Sequence, residues 1–214
     1  MLVFEQIRTG GDRNFGYLLG DRDAGQAVLV DPSFAPTTLV DRARAQGLTV
    51  THVLNTHGHP DHTNGNDTAL RLTGAQLVAH PDSATRLDHP VADGEEIRIG
   101  SLTIRAFYTP GHSEDSVCYL VDEICLTGDT LFVGKVGGTV TRNAAETEYR
   151  SLHRVLLTLP DPTTVWPGHD YGCRPSSTIG LEKRTNPFLL CPDLSAFLRL
   201  KAEWATYKAT HGLL

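Results

Sequence analysis

Three histidines and an aspartate lie within six residues in the first third of the chain. Residues 56–62 read Thr-His-Gly-His-Pro-Asp-His and follow the apolar run 50–55, which predicts a buried strand that ends in polar side chains. His57 and His59 are two residues apart, so in extended backbone they point the same way and can bind one ion. Asp61 and His62 follow a proline, which redirects the backbone, so they can face a second ion.

The types of these donors favour a catalytic metal site. Imidazole nitrogen and carboxylate oxygen suit zinc, iron(II) or manganese, and a site of His and Asp without thiolate is more often catalytic than structural. The alternative interpretation is a polar loop of solvated histidines, and the high local density of histidine argues against it.

Three further candidate donors each follow a glycine where an apolar strand stops. They are His112, Asp129 and His169. Glycine lets the backbone turn sharply beside a crowded centre. Loops at the ends of separate strands commonly converge on one cleft, so these residues are expected to meet the histidine cluster there.

Apolar periodicity predicts the elements that position these donors. Predicted strands cover residues 2–6, 15–19, 26–30, 48–55, 75–80, 95–99, 102–108, 117–121, 124–126 and 164–166, with an antiparallel meander first and a hairpin at 95–108. Predicted helices cover residues 37–46, a segment capped by Asn66 or Asp67 and closed by Gly74, residues 81–87, 144–159 and 194–211, the last ending at Gly212.

Composition limits the class of protein. The 214 residues, 40% hydrophobic and 21% charged, predict one globular domain over 1–214 with residues 194–211 as a C-terminal packing helix. A net charge of -6 without a basic stripe argues against a nucleic-acid partner. No segment has the length of a membrane span or the features of a signal peptide, so we expect no membrane partner and a cytoplasmic location. The oligomeric state stays open, with a homodimer as one option.

Taken together, these segments resemble the metallo-β-lactamase superfamily from the opening meander to the last candidate donor. The motifs H-x-H-x-D-H, P-G-H, T-G-D and P-G-H occur in this order at residues 57–62, 110–112, 127–129 and 167–169. The resemblance implies an α/β fold, a four-layer αββα sandwich with the site at one edge of its two sheets.

The resemblance also implies two divalent metal ions, zinc first, with iron or manganese as alternatives. By this analogy the ligands of one ion are His57, His59 and His112, those of the other are Asp61, His62 and His169, and Asp129 bridges the two.

Two branches of the family are similar to this chain. A glyoxalase II-like thioesterase would use two metals to activate water against a small thioester, with His57 and His59 as ligands and Asp61 orienting the nucleophile. A persulfide dioxygenase would use one iron(II) held by His57, His112 and Asp129, and would act on a thiol substrate such as glutathione persulfide. A lactone hydrolase, and a metal-binding domain that acts through partners without its own catalysis, are further alternatives.

The segment after the T-G-D motif departs from the glutathione-using branches, which it otherwise resembles. Those branches carry an arginine where this chain has Gly138. An anchor for the carboxylates of glutathione is therefore missing unless other cations replace it, and the candidate substrate-binding residues are Lys135, Arg142, Tyr171 and Arg174. The stretch after His169 is expected to be too short for the helical domain with which long glyoxalase II enzymes hold glutathione, which favours a smaller or different thioester, or a lactone.

Overall fold

The computed structural model of the chain describes residues 1–83 and 87–211. Its first sheet contains six strands in their chain order: β1 (Leu2–Gly10), β2 (Asn14–Asp21), β3 (Gln26–Val30), β4 (Thr49–Leu54), β5 (Gln76–Ala79) and β6 (His89–Pro90). The first three strands form an antiparallel meander, and β3 to β6 pair in parallel. Parallel neighbours need crossover connections, and these contain α1 (Pro36–Ala45), α2 (Pro60–Thr63) and α3 (Asn66–Thr73).

The second sheet follows along the chain. The next strands are β7 (Glu96–Ile99), β8 (Leu102–Tyr108), β9 (Val117–Val121), β10 (Ile124–Gly128), β11 (Leu131–Phe132), β12 (Lys135–Val136), β13 (Thr164–Pro167) and β14 (Ser177–Thr178). The spatial order of the second sheet is β14-β13-β10-β9-β8-β7, and β11 pairs with β12 in a separate two-stranded sheet.

Four α-helices lie in the part of the chain that follows β12. They are α4 (Arg142–Arg154), α5 (Ile179–Thr185), α6 (Leu194–Ala202) and α7 (Trp204–His211), with a 3₁₀ helix at Leu156–Thr158. Among the residues that the structure describes, no helix combines the length and apolarity needed to cross a membrane.

Three apolar clusters show how the layers stack. The faces of the two sheets meet around buried side chains such as Tyr17 and Leu126. The outer face of the first sheet is covered by α1 and α3 through Leu39 and Ala69, and the outer face of the second by α4 to α6 through residues such as Leu152. The predicted four-layer αββα sandwich is therefore confirmed.

The predicted helix over residues 144–159 is too long at its C-terminal end. The α-helix stops before Val155, whose angles (φ -113°, ψ -71°) depart from ideal α-helical values, and the chain continues as the 3₁₀ helix. Both Val155 and Leu156 are buried, and Pro160 follows shortly after. Pro160 keeps Leu159 extended (φ -67°, ψ 150°) and so ends the 3₁₀ helix, whereas the apolar spacing runs on through the earlier change at Val155.

The predicted single helix over 194–211 is two helices. The break lies at Glu203 (φ -102°, ψ 8°), and Phe197 of α6 is buried, whereas no residue of α7 is. After the break, the ring of Trp204 packs 4.6 Å from that of Phe188. The apolar spacing thus continues through the break between the two helices, and the predicted end at Gly212 lies outside the described residues.

Two smaller predictions concern the start of α3 and residues 81–87. The N-cap of α3 is Gly65 and makes no side-chain cap hydrogen bond, so the predicted capping by Asn66 or Asp67 is wrong. Asn66 instead exchanges side-chain hydrogen bonds with Asn55 at 2.6 and 3.2 Å in the protein interior. The helix predicted at 81–87 includes residues 84–86, which lie outside the described residues, and residues 81–83 form a turn.

Candidate metal centre

The chain reaches the site from four strand ends. The histidine cluster follows β4, His112 follows β8, Asp129 follows β10 and His169 follows β13. The loops approach one another closely, because a Cβ atom added at Gly168 would lie only 2.4 Å from Asp129 Oδ1. Glycine is therefore required where the end of β13 passes the end of β10.

The structure brings all seven candidate donors together. They form three overlapping groups, and within each group the donor atoms all lie within 4.8 Å of one another. The groups are His57, His59 and His112; His57, His62 and Asp129; and Asp61, His62 and His169.

Ring nitrogens face one another inside these groups. His59 Nδ1 lies 2.9 Å from His57 Nε2 and 3.0 Å from His112 Nε2. His62 Nε2 lies 3.2 Å from His169 Nε2. Converging lone pairs repel one another unless a proton or a cation lies between them, so this arrangement suits a shared cation.

The carboxylate of Asp129 faces donors on both sides. Its Oδ1 atom lies 3.5 Å from His62 Nε2, and its Oδ2 atom lies 3.5 Å from His112 Nε2 and 3.4 Å from His169 Nε2. Oδ1 is buried and has no hydrogen-bond partner within residues 1–83 and 87–211. A buried carboxylate oxygen normally has a partner, so this atom is placed to bind a cation.

At three of the candidate donors, the surroundings favour the protonation state that metal binding requires. Burial lowers the pKa of His57, with nearby imidazoles adding to the effect. Burial also lowers the pKa of His112, against the opposing charge of Asp129. Although burial opposes it, the hydrogen bond from His169 and the surrounding imidazoles lower the pKa of Asp129. The two histidines are thus neutral and the aspartate ionised, as metal binding requires.

The opposite shift at His62 marks a position where positive charge is favoured. Burial alone would lower the pKa of this histidine, but the carboxylate of Asp31, assisted by Asp129 and Asp61, raises it to about 9. Three carboxylates around one buried imidazole therefore stabilise a cation there. A donor set of five imidazoles and two carboxylates without thiolate fits zinc, iron(II) or manganese.

Hydrogen bonds from outside the cluster fix which nitrogen of each ring faces the centre. His62 Nδ1 lies 2.9 Å from Asp31 Oδ2, His112 Nδ1 donates to the Gly138 carbonyl at 2.7 Å, and His169 Nδ1 donates to the Asp12 carbonyl at 2.8 Å. Such partners hold the ring tautomer and leave Nε2 free to bind a metal.

Sequence analysis missed several of these supporting residues. Asp31 accepts hydrogen bonds from the backbone N–H of Thr56 at 2.9 Å and from its hydroxyl at 2.6 Å. Asn14 Nδ2 donates to Asp61 Oδ2 at 2.9 Å, and the Ser33 hydroxyl donates to the Asp61 carbonyl at 2.5 Å. The only signal was the Asp-Pro-Ser break after the third strand, which by itself indicates no more than a turn.

The four candidate substrate-binding residues line two different cavities. Lys135, Tyr171 and Arg174 line a cavity of about 700 Å³. The Tyr171 ring stacks on that of His169 at 4.6 Å, and Lys135 Nζ lies 3.9 Å from the centre of the Tyr171 ring. Arg142 lines a different cavity of about 490 Å³ and forms an ion pair with Glu146 at 3.1 Å. Only Lys135 is shared by the two cavities among these four residues.

A four-layer αββα sandwich with histidines and aspartates gathered at its strand ends defines a class of metalloprotein. The sequence model of the metallo-beta-lactamase superfamily matches residues 9–169, a range that includes all seven candidate donors. The chain belongs to this superfamily.

The proteins similar to this chain include hydroxyacylglutathione hydrolases and persulfide dioxygenases. A hydroxyacylglutathione hydrolase of Polaromonas sp. is 36% identical over 178 residues, which cover 79% of this chain and 67% of that protein. The mitochondrial persulfide dioxygenase ETHE1 of Homo sapiens is 35% identical over 182 residues, which cover 82% of this chain and 71% of that protein. The two proteins are similar to this chain at nearly the same identity.

Solved structures are also similar to the chain. The crystal structure of ETHE1 from Myxococcus xanthus superposes with a TM-score of 0.88 at 36% identity, covering 94% of this chain and 91% of that chain. The di-iron-bound form of TTHA1623 superposes with a TM-score of 0.71 at 27% identity, covering 86% of this chain and 100% of that chain.

Proposed function

We propose that the protein is a metal-dependent hydrolase that uses water to cleave a small thioester. The observation that carries this proposal is the position of Asp129, whose carboxylate faces histidines of both groups of donors: Oδ2 lies 3.5 Å from His112 Nε2 of one group and 3.4 Å from His169 Nε2 of the other. A single ion would need only one of these groups. A shared carboxylate between two complete groups is the arrangement expected for a pair of divalent ions.

The residues of the two groups have distinct tasks in this proposal. His57, His59 and His112 hold one ion, Asp61, His62 and His169 hold the other, and Asp129 binds both. A pair of divalent ions would polarise the thioester carbonyl and lower the pKa of a water molecule towards neutrality.

Asp61 is the donor best placed to orient the attacking water. Its side chain is 37% exposed, whereas His62 and His169 beside it are almost fully buried. The hydrogen bond from Asn14 holds one carboxylate oxygen and thereby sets the direction of the group. A water that donates a hydrogen bond to this carboxylate has its lone pair directed away from Asp61, toward a carbonyl carbon in the cleft.

The cavity beside His169 supplies a place for the thiol part of the substrate. Lys135 and Arg174 give it positive charge, and Tyr171 connects it to the metal centre by ring stacking. A thiol carrier with a negatively charged group fits this lining. Gly138 contributes no cation, so the second carboxylate of glutathione lacks the anchor expected at that position.

The proposal is tested by metal analysis combined with a hydrolysis assay. Protein purified without added metal is expected to contain about two zinc-like ions per chain and to hydrolyse S-lactoylglutathione or a smaller thioester, with a lactone assayed in parallel. His169→Ala is expected to reduce hydrolysis at least about a hundredfold, whereas His153→Ala, an exposed histidine on α4, leaves it unchanged. Hydrolysis that persists in the first variant would overturn the proposal.

Persulfide dioxygenase is the second candidate, favoured by the likeness to ETHE1 from Myxococcus xanthus over most of both chains. His57, His112 and Asp129 would then hold one iron(II) and leave positions open for the thiol and O₂. One iron per chain, with O₂ consumption on glutathione persulfide and no hydrolysis of thioesters, would replace the first proposal by the second.

A further inference from the structure

A buried ion pair lies behind the metal centre and is not part of the donor set. Glu148 of α4 is 0% exposed, and Lys201 of α6 donates from Nζ to Glu148 Oε2 and to the Gly137 carbonyl. The other oxygen, Oε1, has no hydrogen-bond partner in the described part of the chain. Well-packed apolar residues of similar volume often stabilise a fold as well as such a pair does, so stability alone gives little reason for it.

The first contact of this pair is with the loop that carries His112. A Cβ atom added at Gly111 would lie 2.3 Å from Glu148 Cβ, so the backbone just before His112 rests directly on this residue. One turn further along α4, the Ser151 hydroxyl donates to the Pro110 carbonyl at 2.7 Å. Helix α4 therefore contacts the loop that carries His112 at two adjacent turns.

The second contact is with the segment that orients the His112 ring. Lys201 binds the Gly137 carbonyl, and the next carbonyl, that of Gly138, accepts the hydrogen bond from His112 Nδ1 at 2.7 Å. A Cβ atom at Gly137 would lie 2.8 Å from His112 Cβ and 3.0 Å from Glu148 Oε1. The pair thus touches both backbone segments that determine where this histidine points.

We propose that Glu148 and Lys201 form a positioning pair that holds the Gly137–Gly138 backbone so that His112 presents Nε2 to the metal. Neither residue touches the donor atoms, and both act through the loop and the carbonyl of Gly138. The inference rests on the proposed metal site but not on the reaction performed there. Partners that orient metal-binding histidines contribute about tenfold to a hundredfold to metal affinity.

The test measures metal retention against a competing chelator at pH 8, together with the melting temperature. At this pH Glu148 is largely ionised, because burial raises its pKa to about 7 in spite of the opposing charge of Lys201. Lys201→Met is expected to weaken zinc retention at least about tenfold. The double variant Lys201→Met with Glu148→Leu removes the buried unpaired charge, so it is expected to regain melting temperature but not zinc retention.

Lys183→Met is the matched control. This lysine also bridges a carboxylate and a carbonyl, Asp161 at 2.9 Å and Leu159 at 3.2 Å, which precede the start of β13, whereas His169 follows its end. Zinc retention in this variant is expected to equal that of the wild type. In the metal-free protein, the Nδ1–H tautomer of His112, observed by nitrogen NMR, is expected to be lost in both Lys201 variants and kept in the control.

Two outcomes would overturn the inference. One is a double variant that recovers zinc retention together with melting temperature, because the pair would then be purely structural. The other is a Lys201→Met protein with wild-type retention and the wild-type His112 tautomer. Wild-type protein that retains zinc but hydrolyses no thioester would instead count against the proposed function, so the two failures are distinguishable.

Discussion

At the scale of single residues, Asp31 organises the histidine loop. It is buried, has a positive φ of 46°, and its carboxylate binds Thr56 and the ring of His62. These partners are more than twenty positions away in sequence, so no local pattern reveals them. The convergence of the seven candidate donors could be predicted because their motifs are local, whereas Asp31, Asn14 and the carbonyl of Gly138 act through contacts that only the folded chain creates.

Asp31→Asn is therefore expected to weaken metal binding without removing a ligand. The amide cannot accept hydrogen bonds at both of its terminal atoms, so the support for the His62 ring is lost. We expect metal affinity to fall about tenfold to a hundredfold in a chelator competition assay. Asp41→Asn, at an exposed aspartate on α1, is the control, and equal losses in the two variants would contradict the assignment.

Lys135 and Arg142 give a second prediction at the residue scale. Of these two cations, only Lys135 lies close to the Tyr171 ring beside the centre, whereas Arg142 is paired with Glu146 at the start of α4. Lys135→Met is expected to raise the KM of an anionic thiol substrate roughly tenfold with little change in kcat. Arg142→Met is expected to change neither constant, and the reverse result would place the substrate in the other cavity.

At the scale of elements, Asp21 at the end of β2 joins the two sheets. Ser101, in the turn between β7 and β8, donates its backbone N–H and its hydroxyl to Asp21 Oδ2, each at 2.7 Å. These hydrogen bonds, the backbone one first, lower the pKa of Asp21 well below its ordinary value of 3.8. The carboxylate consequently favours the folded state only when it is ionised.

The sign of the resulting pH dependence follows from this lowered pKa. Stability contributed by Asp21 is present above its unfolded-state value of 3.8 and is lost as the pH falls toward its folded-state value. Asp21→Asn is expected to be less stable at neutral pH and to lose stability less steeply below about pH 4 in denaturant titrations. Glu96→Gln, on the exposed side of the same hairpin, should follow the wild-type curve.

The elements differ in how far the sequence could predict them. The hairpin of the second sheet alternates along β7 and most of β8, and its predicted bounds, 95–99 and 102–108, were close to those found. In the meander the prediction for β3 matched, but the strand predicted at 2–6 stopped four residues before the end of β1, because polar residues at 8 and 9 interrupt the apolar pattern. The breaks at Val155 and Glu203 were not predicted, because the apolar spacing runs through both. The two-residue strands β6, β11, β12 and β14 are too short for any period and form only where a partner strand lies beside them.

At the scale of the whole molecule, the candidate metal centre lies where strands of both sheets end. The histidine cluster follows a strand of the first sheet, and the other donors follow strands of the second. A ligand that binds only the folded state stabilises it, so removal of metal by a chelator is expected to lower the melting temperature and re-addition to restore it. His57→Ala should reduce this metal-dependent shift, because the group of Asp61, His62 and His169 stays intact, whereas His153→Ala should leave it unchanged.

The number of ions bound per chain is the most direct test of the proposed two-metal site. Metal-free protein titrated with zinc is expected to saturate at two equivalents, because Asp129 serves two groups of donors. The double variant Asp61→Ala with His169→Ala is expected to saturate at one equivalent, since the other group stays intact. Saturation of the wild-type protein at a single equivalent would contradict the shared role of Asp129 and the hydrolytic mechanism built on it.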